Sequence, residues 1–269
     1  MLQRFKGLVK RVLYGKPQKA VSEYGWLGSY DSWAEAAQKC SGYDNGIILE
    51  KCKAALLKVR NGEAVYERDS VIFDSIQYSW PLLAALLKIA LENKSELSVL
   101  DLGGSLGSSY FQNRVFLKPA RQLSWNIVEQ GKFVKAGKTF FENEELKFFY
   151  SIEEAVECNK PDVFLLSSSL QYLENPGAFI EKTIHGGYKY IIVDMMPFNF
   201  DPFDRISVQR VHPSIYDASY PCWLLNYEST LNRFRESYEV VSEHYNDNWV
   251  SIDGHEIRYR GFFLKNKML

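Results

Sequence analysis

From residue 95 onward the chain alternates short runs rich in β-branched and aromatic residues with stretches of helical periodicity. "LSVLDL" (97–102), "LSWNIVEQ" (123–130), "LKFFYS" (146–151), "PDVFLLSS" (161–168) and "YKYIIVDM" (188–195) read as five successive strands. "SSYFQNRVFL" (108–117), "KFVKAGKTFFE" (132–142), "SIEEAVEC" (151–158) and "PGAFIEKTIHG" (176–186) read as the helices between them. Such alternation predicts a parallel sheet wrapped by helices. "SYEVVSEHYND" (237–247) and "YRGFFLKN" (259–266) then suit a closing antiparallel pair. The expected fold is α/β, a doubly wound Rossmann-like seven-stranded sheet, mostly parallel with an antiparallel C-terminal strand.

Ahead of this pattern, residues 32–93 show helical spacing and no convincing strand. Ser32 is placed to cap "WAEAAQKC", "SGYDNG" is a turn cluster, and "IILEKCKAALLKVRNG" ends on an Asn-Gly stop. A third helical stretch, "IFDSIQYSWPLLAALLKIALENK", is expected to kink or restart at Pro81. The expected organisation is a basic amphipathic segment over 1–24, a helical cap over 25–94 and the Rossmann-like domain over 95–269. Residues 197–223 form a long, aromatic-rich connection with the character of a lid.

Composition narrows the function. Apolar residues make up 46% of the 269 and charged ones 24%, enough to build a buried core. A net charge of -1 gives no field that would recruit nucleic acid. The four cysteines, Cys40, Cys52, Cys158 and Cys222, lack zinc-ligand spacing and point to a reducing, cytoplasmic setting. His185, His212, His244 and His255 show no metal-ligand spacing either, so no metal site is expected. No window is long and apolar enough to span a bilayer. In the first twenty residues, Leu2, Phe5, Val9, Val12 and Leu13 share a helical face opposite Arg4, Lys6, Lys10 and Arg11. That pattern suits an interfacial helix at the inner face of an anionic membrane, or a helix docked on the body. It does not read as a signal peptide, because its apolar run is broken.

The chemistry centres on "DLGGSLG". Ligands of doubly wound sheets sit beyond the carboxyl ends of the strands, where strand order reverses. Gly103 and Gly104 allow backbone angles that other residues resist, and Gly107 permits close packing as a helix begins. Glu129, closing the second strand, can accept hydrogen bonds from both hydroxyls of a ribose. Asp101 separates this turn from the dinucleotide fingerprint, since a carboxylate there suits a cationic, amino-acid-bearing nucleoside better than a pyrophosphate. S-adenosylmethionine is therefore expected rather than a nicotinamide cofactor.

"VLDLGGSLG", "WNIVEQ" and "DVFLLSSSLQYLENP" resemble the ligand-binding segments of class I S-adenosylmethionine-dependent methyltransferases. More narrowly, "GWLGSYDSWAEA", "GYDNGIILEK", "LDLGGSLGSSY", "SSSLQYLENP", "VQRVHPSIYDASYP" and "SYEVVSEHY" resemble an uncharacterised bacterial methyltransferase family associated with surface-polysaccharide gene clusters. The resemblance covers the chain from Trp26 onward. It implies that Asp101, Gly103 and Gly107 hold the methionine portion of the donor and Glu129 its ribose, with Gly104, Ser105 and Gln130 beside them. Tyr150 and Ser151 fall where adenine is contacted, and Ser167, Ser168, Gln171 and Tyr172 at the strand exit facing the transferring methyl. One departure stands out: Ser105 occupies the middle glycine position, where serine needs ordinary backbone angles or a role for its hydroxyl.

The implied acceptor is a small molecule or glycan precursor, most simply a sugar hydroxyl. Gln171, Tyr172, Gln209, Tyr216 and Tyr220 are its expected contacts, with Asp194 and His212 the candidates to remove its proton. His185 is expected to play a surface role. Two rival readings remain: a non-catalytic partner that keeps the fold within a membrane-associated glycan-assembly complex, and a nicotinamide-dependent enzyme on the same sheet.

Overall fold

The computed structural model describes residues 23–42, 46–252 and 255–269. The basic amphipathic segment expected over 1–24 thus lies, up to residue 22, outside the described residues. The chain begins with strand β1 (Gly25–Tyr30), then helices α1 (Trp33–Gln38) and α2 (Gly46–Arg60), a hairpin of β2 (Tyr66–Arg68) and β3 (Val71–Phe73), and α3 (Trp80–Glu92). The alternating core follows as β4 (Glu96–Leu102), α4 (Ser108–Leu117), β5 (Gln122–Val128), α5 (Gly131–Phe140), β6 (Leu146–Phe149), α6 (Ile152–Cys158), β7 (Val163–Ser167), α7 (Pro176–His185) and β8 (Tyr190–Met196). A hairpin of β9 (Arg205–Arg210) and β10 (Ser219–Leu224), helix α8 (Tyr227–Arg235) and the long pair β11 (Tyr238–Ile252) and β12 (His255–Asn266) complete the fold.

The main sheet runs β10-β9-β1-β11-β12-β8-β7-β4-β5-β6. Strands β4 to β8 pair in parallel, β12 is antiparallel to both β8 and β11, and β11 is parallel to β1. Seven of these strands, β4 to β8 with β11 and β12, make the expected mostly parallel sheet with its antiparallel strand. Both faces of the central strands are covered, which explains their near-continuous apolar runs. Val99, Trp125, Ile127, Leu165 and Ile192 pack with α2, α3 and α5 through Leu56, Leu86, Ile89 and Val134. Leu100, Phe164, Leu166, Val193 and Phe262 pack with α6, α7 and α8 through Ala155, Ile180, Leu231 and Phe234.

Three features depart from the sequence expectation. The segment 25–94 is not purely helical: β1 joins the main sheet and β2–β3 is a separate hairpin. In β1, Gly25 and Gly28 take φ of 112° and 75°, and the register shifts between Leu27 and Tyr30, so no clean alternation marks it as a strand. Residues 197–223 are not a free-standing lid either, because β9 and β10 extend the same sheet outward from β1. Helix α8 is an addition to the expected elements. Elsewhere the expectation matches: the Ser32 hydroxyl accepts from Glu35 N at 3.2 Å, and Pro81 sits in the first turn of α3, which starts afresh there. Among the described residues, no helix is long and apolar enough to cross a membrane.

The contact of α5 with the sheet depends on Gly137, where a Cβ would run into the Phe148 ring of β6. Gly137→Ala is expected to lower unfolding free energy by about 1–2 kcal/mol in denaturant titration, overpacking outweighing the gain in helix propensity.

Candidate functional site

Strand order reverses at β4, which pairs with β5 on one side and β7 on the other, setting Asp101 opposite Ile127 and Leu165. The chain leaves β4 through a turn in which Gly103, Ser105 and Gly107 have φ of 72°, 53° and 109°. Ser105 therefore adopts the left-handed angle of the glycine it replaces, at a cost of roughly 1–2 kcal/mol, rather than the ordinary angles expected of serine. Its backbone N–H is used as well, donating to Glu129 Oε1 at 3.2 Å. A Cβ at Gly103 would come within 2.9 Å of Ser169 Cβ, and one at Gly104 within 2.5 Å of Asp101 Oδ2. Glycine at 103 and 104 is thus what lets the turn lie flat against the end of β7 and over the Asp101 carboxylate.

Asp101 is 1% exposed, and its Oδ2 accepts from Trp125 Nε1 at 2.9 Å. Burial pushes its carboxyl up to about 7, partly offset by that bond. Glu129 accepts from Ser105 N at 3.2 Å and Gln130 N at 2.6 Å, so it braces the glycine turn from the neighbouring strand. Burial again dominates and raises it to about 7, the two backbone bonds lower it, and the Asp101 charge adds to the rise. The two carboxylates sense one another across adjacent strand ends.

Three buried polar atoms at the ends of β4 and β7 have no partner: Asp101 Oδ1, Ser169 Oγ and Gln171 Oε1. Gln171 Oε1 accepts only, and Asp101 Oδ1 does so once the carboxyl is ionised. Gln171 is fully buried, with its Nε2 donating to the Ser168 hydroxyl at 3.0 Å, and Ser168 is itself left-handed at φ 54°. A cradle short of donors, flanked by two carboxylates near their midpoint, fits a ligand that brings a cationic N–H group and vicinal hydroxyls.

The remaining expected residues separate into groups. Ser167 ends β7 opposite Asp194, Ser151 caps α6 by accepting from Glu154 N at 3.1 Å, and Tyr150 is exposed with its ring beneath the Lys138 ammonium. Tyr172 donates to Gln209 Oε1 at 2.7 Å and meets Tyr220 edge-to-face at 5.2 Å, while Tyr216 and Tyr220 are buried in the same core cluster. These four gather on one wall. Gln171 does not join them as an acceptor contact, because its side chain is enclosed beneath the turn it was expected to project from.

Neither expected base stands ready for that role. Asp194 is fully buried, and its Oδ1 already accepts from Ser79 Oγ (3.2 Å), His244 Nε2 (3.0 Å) and Asn246 Nδ2 (2.9 Å), binding α3 and β11 to the end of β8. Three donors converge on that one oxygen, so the side chain serves to tie these elements together. His212 is exposed on the β9–β10 connection, where its ring engages Ser214 at 2.8 Å and Tyr24 edge-on at 4.7 Å. His185 bonds the Glu181 carbonyl on the surface of α7.

Sequence reasoning missed the β2–β3 hairpin, which brings Glu67 and Asp69 to the same region. Glu67 is 2% exposed, accepts from Ser108 Oγ and from Ser70 N, and is pushed up to about 7 by burial. Ser108 is the first residue of α4, so the hairpin is fastened directly behind the glycine turn. Strands of three residues with a polar turn leave little periodicity to find. A separate groove of about 370 Å³ lies between α6 and α7 over Phe164, bridged by Lys182 and Glu153, and none of the expected site residues line it. Among the described residues, no cluster of His, Cys, Asp or Glu is arranged to hold a metal ion.

No family model matches the chain, and no curated protein does. Solved structures do. The N-terminal domain of EvdMO1, crystallised in the presence of SAH and D-fucose, is similar at 12% identity and TM-score 0.45, over 75% of this chain and 90% of that one. A SAM-dependent methyltransferase from Methanosarcina mazei is similar at 10% identity and TM-score 0.48, over 65% and 96%. Magnesium protoporphyrin IX methyltransferase from Synechocystis PCC 6803, with bound SAM, is similar at 11% identity and TM-score 0.45, over 70% and 79%. These are remote likenesses in chain path, and the reading of the site rests on the side chains described above.

Two outcomes are expected. Asp194→Ala leaves three donors without their acceptor and should cost about 2–4 kcal/mol in denaturant unfolding. Asp101, Glu129 and Glu67 have carboxyls raised from their ordinary 3.8 or 4.5 to about 7, so the folded chain holds protons that the unfolded chain has released. Their contribution to stability is full below about pH 4 and is lost as pH rises to about 7. Unfolding free energy of the ligand-free protein should fall across that window, and Glu129→Gln should reduce the fall by about 1–3 kcal/mol.

Proposed function

We propose that the chain is an S-adenosylmethionine-dependent methyltransferase acting on a sugar hydroxyl of a surface glycan or its precursor. The observation that carries this reading is the donor-poor cradle at the reversal point of the sheet, where Asp101 and Glu129 flank a glycine turn and Asp101 Oδ1 and Gln171 Oε1 lack partners. When bound, the donor supplies a methyl group activated on a sulfonium. Asp101, Ser169 and Gln171 are the residues to take its amino-acid end, and Glu129 its ribose hydroxyls. Binding a cation there also offsets the mutual repulsion of the two carboxylates, which burial alone leaves half-protonated near pH 7. The sheet ends hold these groups in place before binding, so alignment needs little reorganisation. The tyrosine wall supports the choice of a sugar, since aromatic faces and fixed hydroxyls suit a polyol. The resemblance of the motifs to the polysaccharide-cluster family points the same way.

Isothermal titration of the folded protein with S-adenosylmethionine and S-adenosylhomocysteine should give single-site binding in the micromolar range. No heat at millimolar ligand would overturn the proposal. Glu129→Gln should weaken both ligands about tenfold or more, the loss expected for hydrogen bonds to a charged group. Wild-type affinity for S-adenosylmethionine should rise between pH 6 and 8 as Asp101 and Glu129 ionise, and less steeply in Asp101→Asn.

A further inference from the structure

We propose that His244, held on Asp194 through Nε2, takes the proton of the acceptor hydroxyl on its Nδ1 as that hydroxyl is methylated. This rests on the methyltransferase reading above. His244 lies in β11 opposite Gly261 of β12, and its imidazole crosses that glycine to reach β8. A Cβ at position 261 would run into both Nε2 of the ring and the Val193 carbonyl, so glycine is what lets the ring pass over β12. Nε2 then stands 3.0 Å from Asp194 Oδ1. A carboxylate can only accept, so Nε2 carries the hydrogen of this bond and the lone pair of the neutral ring sits on Nδ1.

The surroundings hold this tautomer and leave Nδ1 unused. The His244 side chain is 9% exposed and that of Asp194 1%, with Ser79 Oγ and Asn246 Nδ2 on the same carboxylate oxygen at 3.2 and 2.9 Å. Within this packed cluster His244 Nδ1 and Asp194 Oδ2 are buried and without partners. Of the nine such side-chain atoms among the described residues, five belong to Asp101, Ser169, Gln171, Asp194 and His244, and so gather where the adjacent strands β4, β7 and β8 end. Contacts join the two ends of this row. Ser168 N donates to the Asp194 carbonyl at 3.0 Å, the Ser168 hydroxyl accepts from Gln171 Nε2 at 3.0 Å, and Ser169 lies where a side chain on Gly103 would strike it. The row therefore begins in the donor cradle and ends on His244, and an acceptor hydroxyl brings the hydrogen that Nδ1 lacks.

The other candidate groups are engaged elsewhere. His212 turns to Ser214 and Tyr24 on the β9–β10 connection, His185 bonds a carbonyl of its own helix, and Asp194 already gathers three donors on one oxygen. In the step His244 serves, the acceptor oxygen forms a bond to the methyl carbon as the carbon–sulfur bond breaks, its electron pair staying on sulfur. The hydroxyl proton passes to Nδ1, the Asp194 carboxylate stabilises the resulting imidazolium, and the proton returns to solvent as product leaves. Asp194 acts here as a positioning residue, fixing the ring and its tautomer.

The test uses the full chain and two ligands, S-adenosylhomocysteine and sinefungin, the donor analogue carrying an amine-bearing carbon in place of the methyl sulfonium. His244→Gln keeps an amide that can donate to Asp194 and removes the imidazole lone pair. Its affinity for S-adenosylhomocysteine should stay within twofold of wild type, and its affinity for sinefungin at pH 8 should fall at least tenfold. Equal losses for the two ligands, or an unchanged sinefungin affinity, would overturn the role of His244 while leaving the methyltransferase reading intact. Should the variant fail to fold, NMR of the imidazole nitrogens in the wild-type protein decides: the His244 Nδ1 resonance should move further with sinefungin than with S-adenosylhomocysteine, and one that responds equally to both would overturn the assignment. Wild-type protein that binds neither ligand would overturn both readings.

Discussion

A carboxylate removed from water and given one hydrogen bond sets the terms for everything around it. Asp101 lies under Gly104, so residue 104 can carry no side chain, and its single donor is the indole of a fully buried Trp125. That bond requires β4 and β5 in their present register, with Asp101 opposite Ile127. Among the described residues its other oxygen has no partner, and neither do Ser169 Oγ and Gln171 Oε1. Leaving such groups unsatisfied costs on the order of 1–3 kcal/mol each. Other buried atoms of the fold bear it too, Asp194 Oδ2 and Asn199 Oδ1 among them, but at the ends of β4 and β7 three such atoms follow a glycine turn and a buried acid.

The backbone carries a parallel cost. Ser105, Ser168 and Met195 are left-handed, with φ of 53°, 54° and 54°, and they follow or close β4, β7 and β8, three adjacent strands. Strain of this kind amounts to roughly 1–3 kcal/mol per residue and persists only where the surroundings over-determine it. Here they do: Glu129 holds Ser105 N, Gln171 holds the Ser168 hydroxyl, and the Asp194 carbonyl accepts from Ser168 N at 3.0 Å. The Asp194 side chain in turn gathers donors from α3 and β11. Its burial serves the rigidity of the strand ends, so the acid that closes β8 is a structural hub.

The glycine turn was legible because its determinants are local. An apolar run followed by an acid, glycines and a helix start fixes a strand, its end and the turn beyond it, and Asp101, Gly103 and Glu129 lie where that grammar places them. Ser105 marked the limit: its identity signalled a departure, while its left-handed angle depends on the Glu129 bracket, which no local pattern reveals. The tyrosine wall and the β2–β3 hairpin were illegible for the opposite reason. Tyr172, Tyr220 and Tyr259 come from three distant segments, and Asp69 from a hairpin whose strands are three residues long. Residues 197–223 looked like a mobile cover because proline, glycine-poor aromatics and charges interrupt their alternation. Only the pairing of β9 with β1 shows them to be sheet.

That pairing changes how selectivity arises. Gln209 stands opposite Tyr220 in the β9–β10 ladder, and Tyr172 meets both, by a hydrogen bond to the first and an edge-to-face contact with the second. Their spacing is thus set by backbone hydrogen bonds and does not await a closing loop. The cap is tied to the same wall: Gly42 N donates to the Ser219 carbonyl, and Lys51 to that of Ile215. A wall framed this way is a standing surface, so a substitution at Tyr220 alters its shape while leaving the glycine turn untouched. The glycine turn and the tyrosine wall are thus separable parts of one sheet, the first at the end of β4 and the second on β9, β10 and the segment after β7.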